Sequence, residues 1–257
     1  MSLTEPNAGS DAAAVRTRAV RDGEHFVING AKVFNSQVDL ADRTVLVTRT
    51  DPDAPQHKGI SLFFVDPKSP GVTIERLETL SFRAVGTNRV TYENVRVHQD
   101  DLLGELNGGW KQLMTNLNKE RFSLAAQVTG AAQAALDCAL QYAKDRVQFG
   151  QPIAKFQVIQ HKLADMQIAV HTSRLLTYDL ARRLDAGVEC RKEASIAKVH
   201  TTEAYFKVAD EGMQILGGYS LTPDFPMERH YRDSRLMRIG GGASEVLRTS
   251  IAKDLGL

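Results

Sequence analysis

Apolar residues follow two different periods along this chain. From residue 15 to about 97 they come in short runs rich in Val, Ile and Phe, separated by turn residues such as Asp51-Pro52-Asp53-Ala54-Pro55 and the 67–71 stretch. Such runs predict strands, here over 15–20, 24–28, 44–49, 60–65, 73–77 and 89–92, with Asp22-Gly23 as a two-residue hairpin signal. A compact antiparallel β domain is expected. After Gly104 the spacing changes: Ala125, Val128, Ala132, Ala135, Ala139 and Ala143 recur three or four apart, the mark of one face of a helix. Ile159, Leu163, Met166, Val170, Ser173, Leu180 and Leu184 predict a second helix. A third is expected over 192–216, with Ala197, Ala204, Val208 and Ile215 inward. The small residues of the first stripe would let helices approach closely. Four or five long helices with short connections make an antiparallel bundle. The expected fold class is therefore α+β, a β domain over 1–105 followed by a helical bundle over 106–257.

With 257 residues and 42% hydrophobic content, the chain can bury a large core in one or two domains. Its 32 Lys and Arg against 31 Asp and Glu create no bulk field for nucleic acid or an anionic membrane, so any anion must be held by local groups. No stretch of about 18 apolar residues is present to span a membrane. Cys138 and Cys190 form no metal-type cluster and read as small, partly buried hydrophobes. No two of the seven histidines have metal-ligand spacing, so no metal is expected, and His161 and His171 read as helix-surface residues. The phosphate-binding, metalloprotease and nucleophile-elbow motifs are all missing.

Six segments carry candidate chemistry. The opening Leu3-Thr4-Glu5-Pro6-Asn7-Ala8-Gly9-Ser10-Asp11 is rich in small residues, which let backbone N–H groups come close to a ligand; alone it would be an ordinary polar terminus. Val33-Phe34-Asn35-Ser36, after Asn29-Gly30-Ala31-Lys32, offers an aromatic ring and a hydroxyl, although Phe34 alone would be plain core. Arg146-Val147-Gln148-Phe149-Gly150, followed by Phe156-Gln157, has a guanidinium able to bind a pyrophosphate through two parallel hydrogen bonds. Otherwise Arg146 is a favourable charge at a helix C-terminus. Gln214-Ile215-Leu216-Gly217-Gly218 would on its own be a helix C-cap. Last come Leu117-Asn118-Lys119-Glu120-Arg121 and, far along the chain, Tyr231-Arg232-Asp233 with Ile239-Gly240-Gly241-Gly242-Ala243-Ser244-Glu245-Val246. Glu120 alone reads as a solvated carboxylate near a helix start.

Taken in order, these segments resemble the acyl-CoA dehydrogenase family over essentially the whole chain. The resemblance implies FAD as cofactor. Leu3, Thr4, Gly9, Ser10, Phe34 and Ser36 would contact the flavin, with Ser10 also bordering the thioester. Phe34 stands where the family commonly has Trp, and Ser36 where it has Thr. Arg146, Gln148, Phe149, Gln157, Gln214, Gly217 and Gly218 match contacts made to a neighbouring subunit's flavin, so a homotetramer built as a dimer of dimers is implied. Ala243 and Glu245 complete the cofactor set, Ala243 replacing the usual Thr. Asn118 and Arg121 match positions near the CoA part of the substrate. The resemblance also places a helical domain upstream of the opening loop, covering the acyl tail, and implies that this chain alone turns over poorly. A bacterial cytoplasmic or mitochondrial matrix setting follows from it.

Many family members carry the catalytic glutamate where this chain has Gly241. A glycine cannot remove a proton. In the isovaleryl-CoA and long-chain branches the base instead sits on the first helix of the bundle, one residue before an Arg, and Glu120 followed by Arg121 matches that arrangement. The implied reaction is α,β-desaturation of an acyl-CoA thioester, possible only if enolate charge at the carbonyl oxygen is stabilised while the α-proton leaves. Gly241 still provides the backbone N–H that serves this purpose in the family. A small residue at 241 leaves room for branched or longer acyl chains, and electrons would pass to an electron-transferring flavoprotein. A same-fold acyl-CoA oxidase or flavin monooxygenase, and a truncated non-catalytic fragment, remain as alternatives.

Overall fold

The computed structural model describes every residue, Met1–Leu257, as two compact units, Met1–Thr115 and Asn116–Leu257. The first unit is built on six strands: β1 (Arg18–Asp22), β2 (His25–Ser36), β3 (Thr44–Arg49), β4 (Ile60–Val65), β5 (Val72–Leu77) and β6 (Thr87–His98). They form one sheet in the order β4-β3-β1-β2-β6-β5. All pairings are antiparallel except β1 with β3, which meet in parallel at Arg18 and Arg49. The β1–β2 hairpin turns at Gly23-Glu24, with positive φ at Gly23 alone, the pattern of a type II′ turn. Ile28, Leu46, Phe63, Val90, Tyr92 and Val95 make the core of this unit.

The sequence places all six strands, but β2 and β6 each run 12 residues, far beyond the expected 24–28 and 89–92. Both contain polar and small residues that break the apolar run. Their pairing tolerates those residues by shifting register twice, at Ile28/Gly30 and at Lys32/Asn35. Gly30 is required at the first shift: its φ is +152°, and a Cβ there would lie 2.6 Å from the Thr17 backbone.

α1 (Gly109–Asp145) starts in the first unit and runs most of its length in the second. After it come a short hairpin of β7 (Val147–Gln148) and β8 (Gln151–Pro152), then α2 (Gln157–Asp185), α3 (Arg191–Leu216), α4 (Met227–Met237) and α5 (Ser244–Asp254). Three helices are long and two have 11 residues each, fewer long ones than the pattern suggests. All six alanine-stripe positions of α1 are fully or almost fully buried. Ala125 packs with Leu180 of α2 and Ala194 and Ala197 of α3, and burying a side chain such as Leu180 stabilises by about 1.5–3 kcal/mol. Thr129 and Thr177 hydroxyls meet at 3.1 Å between α1 and α2. Tyr205 of α3 is hydrogen-bonded to His230 of α4 at 2.9 Å, and Arg248 of α5 grips Glu203 of α3 through two 2.7 Å bonds. His161 and His171 lie exposed on α2, while Cys190 is buried just ahead of α3. No helix is long and apolar enough to cross a membrane, and no cluster of His, Cys, Asp and Glu is arranged to hold a metal.

Candidate active site

In the first unit the opening loop is tightly held. Ser2 bonds through its backbone to Val45 and Val47 of β3, and the Thr4 carbonyl accepts from the Val33 N–H at 2.8 Å. Lys32, fully buried on β2, donates from Nζ to the Leu3 carbonyl at 3.0 Å and to Glu5 Oε1 at 2.8 Å. Glu5 also accepts from the backbone N–H groups of Arg16 and Thr17. Burial alone would push the Glu5 carboxyl up, but the Lys32 charge and these hydrogen bonds together hold it below its ordinary value. Burial pulls the Lys32 ammonium down to about 8 against the opposing pull of Glu5. Gly9 and Ser10 stay exposed at the tip of the loop.

The second register shift lies just past Lys32. It leaves Phe34 at φ +61°, a conformation unusual for a bulky residue, with its ring 65% exposed. The flanking Val33 and Asn35 are buried, so the bulge turns one aromatic ring out of an otherwise inward-facing segment, with Ser36 exposed beside it. The positive φ and outward ring leave an aromatic face of the strand open to solvent. A pinned backbone loop and an outward ring on one β domain suit a planar heterocycle.

In the second unit, Asn118, Glu120 and Arg121 share a turn of α1. The Arg121 guanidinium donates from Nη1 to Asn118 Oδ1 at 3.0 Å, while its Nε is buried without a partner. Burial lowers the Arg121 pKa, with Glu120 opposing the shift and Arg191 adding to it. The Gly241-Gly242 turn packs on this stretch of α1. A Cβ at Gly241 would lie 2.3 Å from Leu124 Cδ1, and one at Gly242 would lie 3.9 Å from Arg121 Nη2. Leu124 is one helical turn from Glu120 on the same face. Both glycines have positive φ, +65° and +96°. No acceptor within the chain takes the Gly241 N–H. The turn leads into α5, whose N-cap is Ala243, without a side-chain cap, and whose first turn holds Glu245.

Arg146, Gln148, Gly217 and Gly218 come together around an open pocket of about 520 Å³, lined also by Tyr142, Ile215 and Tyr219. Gly217 ends α3 with φ +60°, and Arg146 lies 5.7 Å from the Tyr219 ring centroid. Phe149 and Gly150 form the β7–β8 turn, both with positive φ, and Phe149 is 93% exposed, edge-on to Phe156 at 6.0 Å. Gln157 opens α2 and Gln214 lies near the end of α3, both exposed. A guanidinium, two side-chain-free residues and an aromatic wall suit a phosphate joined to a flat ring.

Sequence reasoning missed the Glu5–Lys32 pair and Lys198, a fully buried lysine on α3 whose Nζ donates to the Gly242 carbonyl at 2.7 Å. The available signal was position: Lys198 follows Ala197 on the inward stripe, and Ala194, Thr201 and Thr202, three and four residues away, are all buried.

Residues 1–95 match the acyl-CoA dehydrogenase middle domain and residues 107–256 the acyl-CoA dehydrogenase C-terminal domain. The chain is 42% identical over 255 residues to a 3-(aryl)acrylate reductase of Clostridium sporogenes, covering 99% of this chain and 67% of that protein. It is 42% identical over 255 residues to the human mitochondrial short-chain specific acyl-CoA dehydrogenase, covering 99% of this chain and 62% of that enzyme. Among solved structures, an acyl-CoA dehydrogenase from Geobacillus kaustophilus superimposes with a TM-score of 0.98 at 36% identity, over 100% of this chain and 68% of that one.

Proposed function

The chain belongs to the acyl-CoA dehydrogenase family, and from that premise we propose that it works in the FAD-dependent α,β-desaturation of an acyl-CoA thioester, with Glu120 as the base. The observation that carries this reading is the seating of the Gly241-Gly242 turn on Arg121 and Leu124, the residues one and four positions after Glu120. A carboxylate on α1 and an unclaimed backbone N–H on the turn packed against the same stretch of that helix are thereby associated.

Glu120 would take the α-proton, and the Gly241 N–H would donate to the thioester oxygen as enolate charge builds there. Asn118 and Arg121, already hydrogen-bonded to each other, would face the CoA portion. FAD, when bound, supplies the hydride acceptor for the β-carbon. Leu3, Thr4, Gly9, Ser10, Phe34 and Ser36 would hold its ring system. Arg146, Gln148, Phe149, Gln157, Gln214, Gly217 and Gly218 would hold a pyrophosphate and adenine, with Ala243 and Glu245 close in sequence to the Gly241 turn. The exposed Phe149 and the open pocket lined by Arg146 support a flavin contributed by a second copy, and the family resemblance extends this to a homotetramer built as a dimer of dimers. Electrons would leave to an electron-transferring flavoprotein.

A base on α1 with glycine at 241 would be the arrangement of the isovaleryl-CoA and long-chain branches, and that resemblance supports branched or longer acyl groups as substrates. The human relative named above is short-chain specific and the clostridial one acts on 3-arylacrylates, so short, branched, long and aryl thioesters belong in one substrate panel. The test is Glu120→Gln in the FAD-loaded protein. It should abolish exchange of the α-proton of an acyl-CoA with solvent deuterium while FAD stays bound. Exchange at the native rate would remove Glu120 from the reaction, and peroxide formed in step with turnover would reassign the protein as an oxidase.

A further inference from the structure

Lys198 is a costly residue for its place in α3. It has no exposed surface, and one hydrogen bond, to the Gly242 carbonyl at 2.7 Å, is the partner of an ammonium that carries three N–H bonds. The charged groups acting on it are Arg121 from α1, Glu203 on its own helix and Glu245 from α5. Burial, with Arg121 adding to it, pulls the ammonium down to about 8. A buried ammonium bound to a neutral carbonyl adds little net stability, because desolvating the charge offsets the bond it makes. A methionine of similar length would fill the same space without that cost.

What Lys198 does achieve is to fix one end of a turn that glycine leaves soft. Gly241 and Gly242 have no side chains to pack, and both sit in the left-handed half of backbone space. Gly240 and Ser244 are tied by backbone bonds to Leu236 and Arg238, whereas the three residues between them, Gly241, Gly242 and Ala243, have no such donor bonds. The Lys198 ammonium supplies a fixed point for the segment between those ties.

We propose that Lys198 is a positioning residue, which holds the Gly242 carbonyl so that the Gly241 N–H stays aimed at the developing oxyanion of the thioester. The inference rests on the reading of Gly241 as oxyanion donor and Glu120 as base. Lys198, fully buried and bonded to the Gly242 carbonyl, acts through the turn. Preorganised donors are effective because they need no reorganisation as charge develops, and a turn free to move would lose that advantage.

The experiment uses the FAD-loaded protein and butyryl-CoA in D2O, anaerobically and without an electron acceptor, following the α-proton by NMR. Lys198→Met should keep its FAD and a melting temperature at or above that of the native protein. Its α-proton exchange should slow about tenfold or more, and in turnover kcat should fall with KM little changed. Lys198→Gln, neutral but still a donor, should fall between the two. Native exchange in either variant overturns the proposal. So does slowed exchange accompanied by lost FAD or a lowered melting temperature, or the failure of both variants to fold, since each assigns the lysine to stability. Glu120→Gln, run alongside, separates the two readings: if it exchanges normally the base assignment fails, whatever Lys198 does.

Discussion

Glu5 and Lys32 form a buried ion pair, Nζ to Oε1 at 2.8 Å with almost no side-chain exposure on either partner, and it locks the opening loop onto β2. Lys32→Met would leave the carboxylate buried with its backbone donors alone. Removing one partner of a buried pair costs about 3–5 kcal/mol. Chemical denaturation should show a loss of that size, and the Leu3–Thr4 amides should lose protection against hydrogen exchange.

The same pair sets a pH dependence on the acid side. The Glu5 carboxyl titrates near 4.5 when unfolded and lower when folded. Between those two values the unfolded chain binds more protons, so the stabilisation is fully present above about 4.5 and is lost as pH falls through the folded value. Stability of the native protein minus that of Glu5→Gln, measured from neutral pH downward, should shrink through that window. A difference that stays constant would mean Glu5 titrates alike in both states.

Gly241 is constrained twice, by its φ of +65° and by Leu124, 2.3 Å from where a Cβ would stand. Gly241→Ala should therefore cost roughly 2–4 kcal/mol, from left-handed strain and overpacking together. Adding Leu124→Ala should recover the overpacking part, so the two substitutions combine to less than their sum in a double-mutant cycle. The same geometry predicts that Glu120→Ala/Gly241→Glu restores no α-proton exchange until Leu124 is also made small.

α5 begins at Ala243, whose φ of −56° and ψ of 146° suit an N-cap but whose methyl group caps nothing. Ala243→Thr places a hydroxyl within reach of the free N–H groups of the first turn. It should stabilise the protein by about 1 kcal/mol, read as a higher denaturation midpoint at unchanged slope.

Arg146→Ala removes the only cationic side chain lining the 520 Å³ pocket. Losing charge-assisted bonds to a pyrophosphate should weaken FAD retention by roughly ten- to a hundredfold. Flavin fluorescence after dialysis measures this directly, and a stable yellow monomer would exclude a flavin held between copies.

Much of the architecture was legible before any coordinates. β3 and β4 run over the expected residues, and the alanine stripe of α1 is buried at each of its six positions. Short apolar runs and three-to-four spacing report burial directly, because one face of each element must leave water. The long strands β2 and β6 were under-read for the same reason. Their extensions are carried by Gly30, Lys32, Asn35 and Asn88, residues that hydrophobic patterning assigns to loops, and they are held in the sheet by register shifts and specific hydrogen bonds.

The candidate site divides along the same line. Sequence by itself determined the chemical inventory: a carboxylate at 120 before an arginine, glycine at 241, an aromatic at 34, a guanidinium at 146. Tertiary structure alone decided that Gly241 rests on Leu124 rather than on open solvent, that Phe34 turns outward, and that Lys32 and Lys198 are buried cations whose partners are Glu5 and a backbone carbonyl. Local pattern records how much of a residue is shielded from water. Which distant groups do the shielding depends on how helices and strands pack, and there a lysine on an inward face reads the same whether it is an error of pattern or the fixed point of a turn.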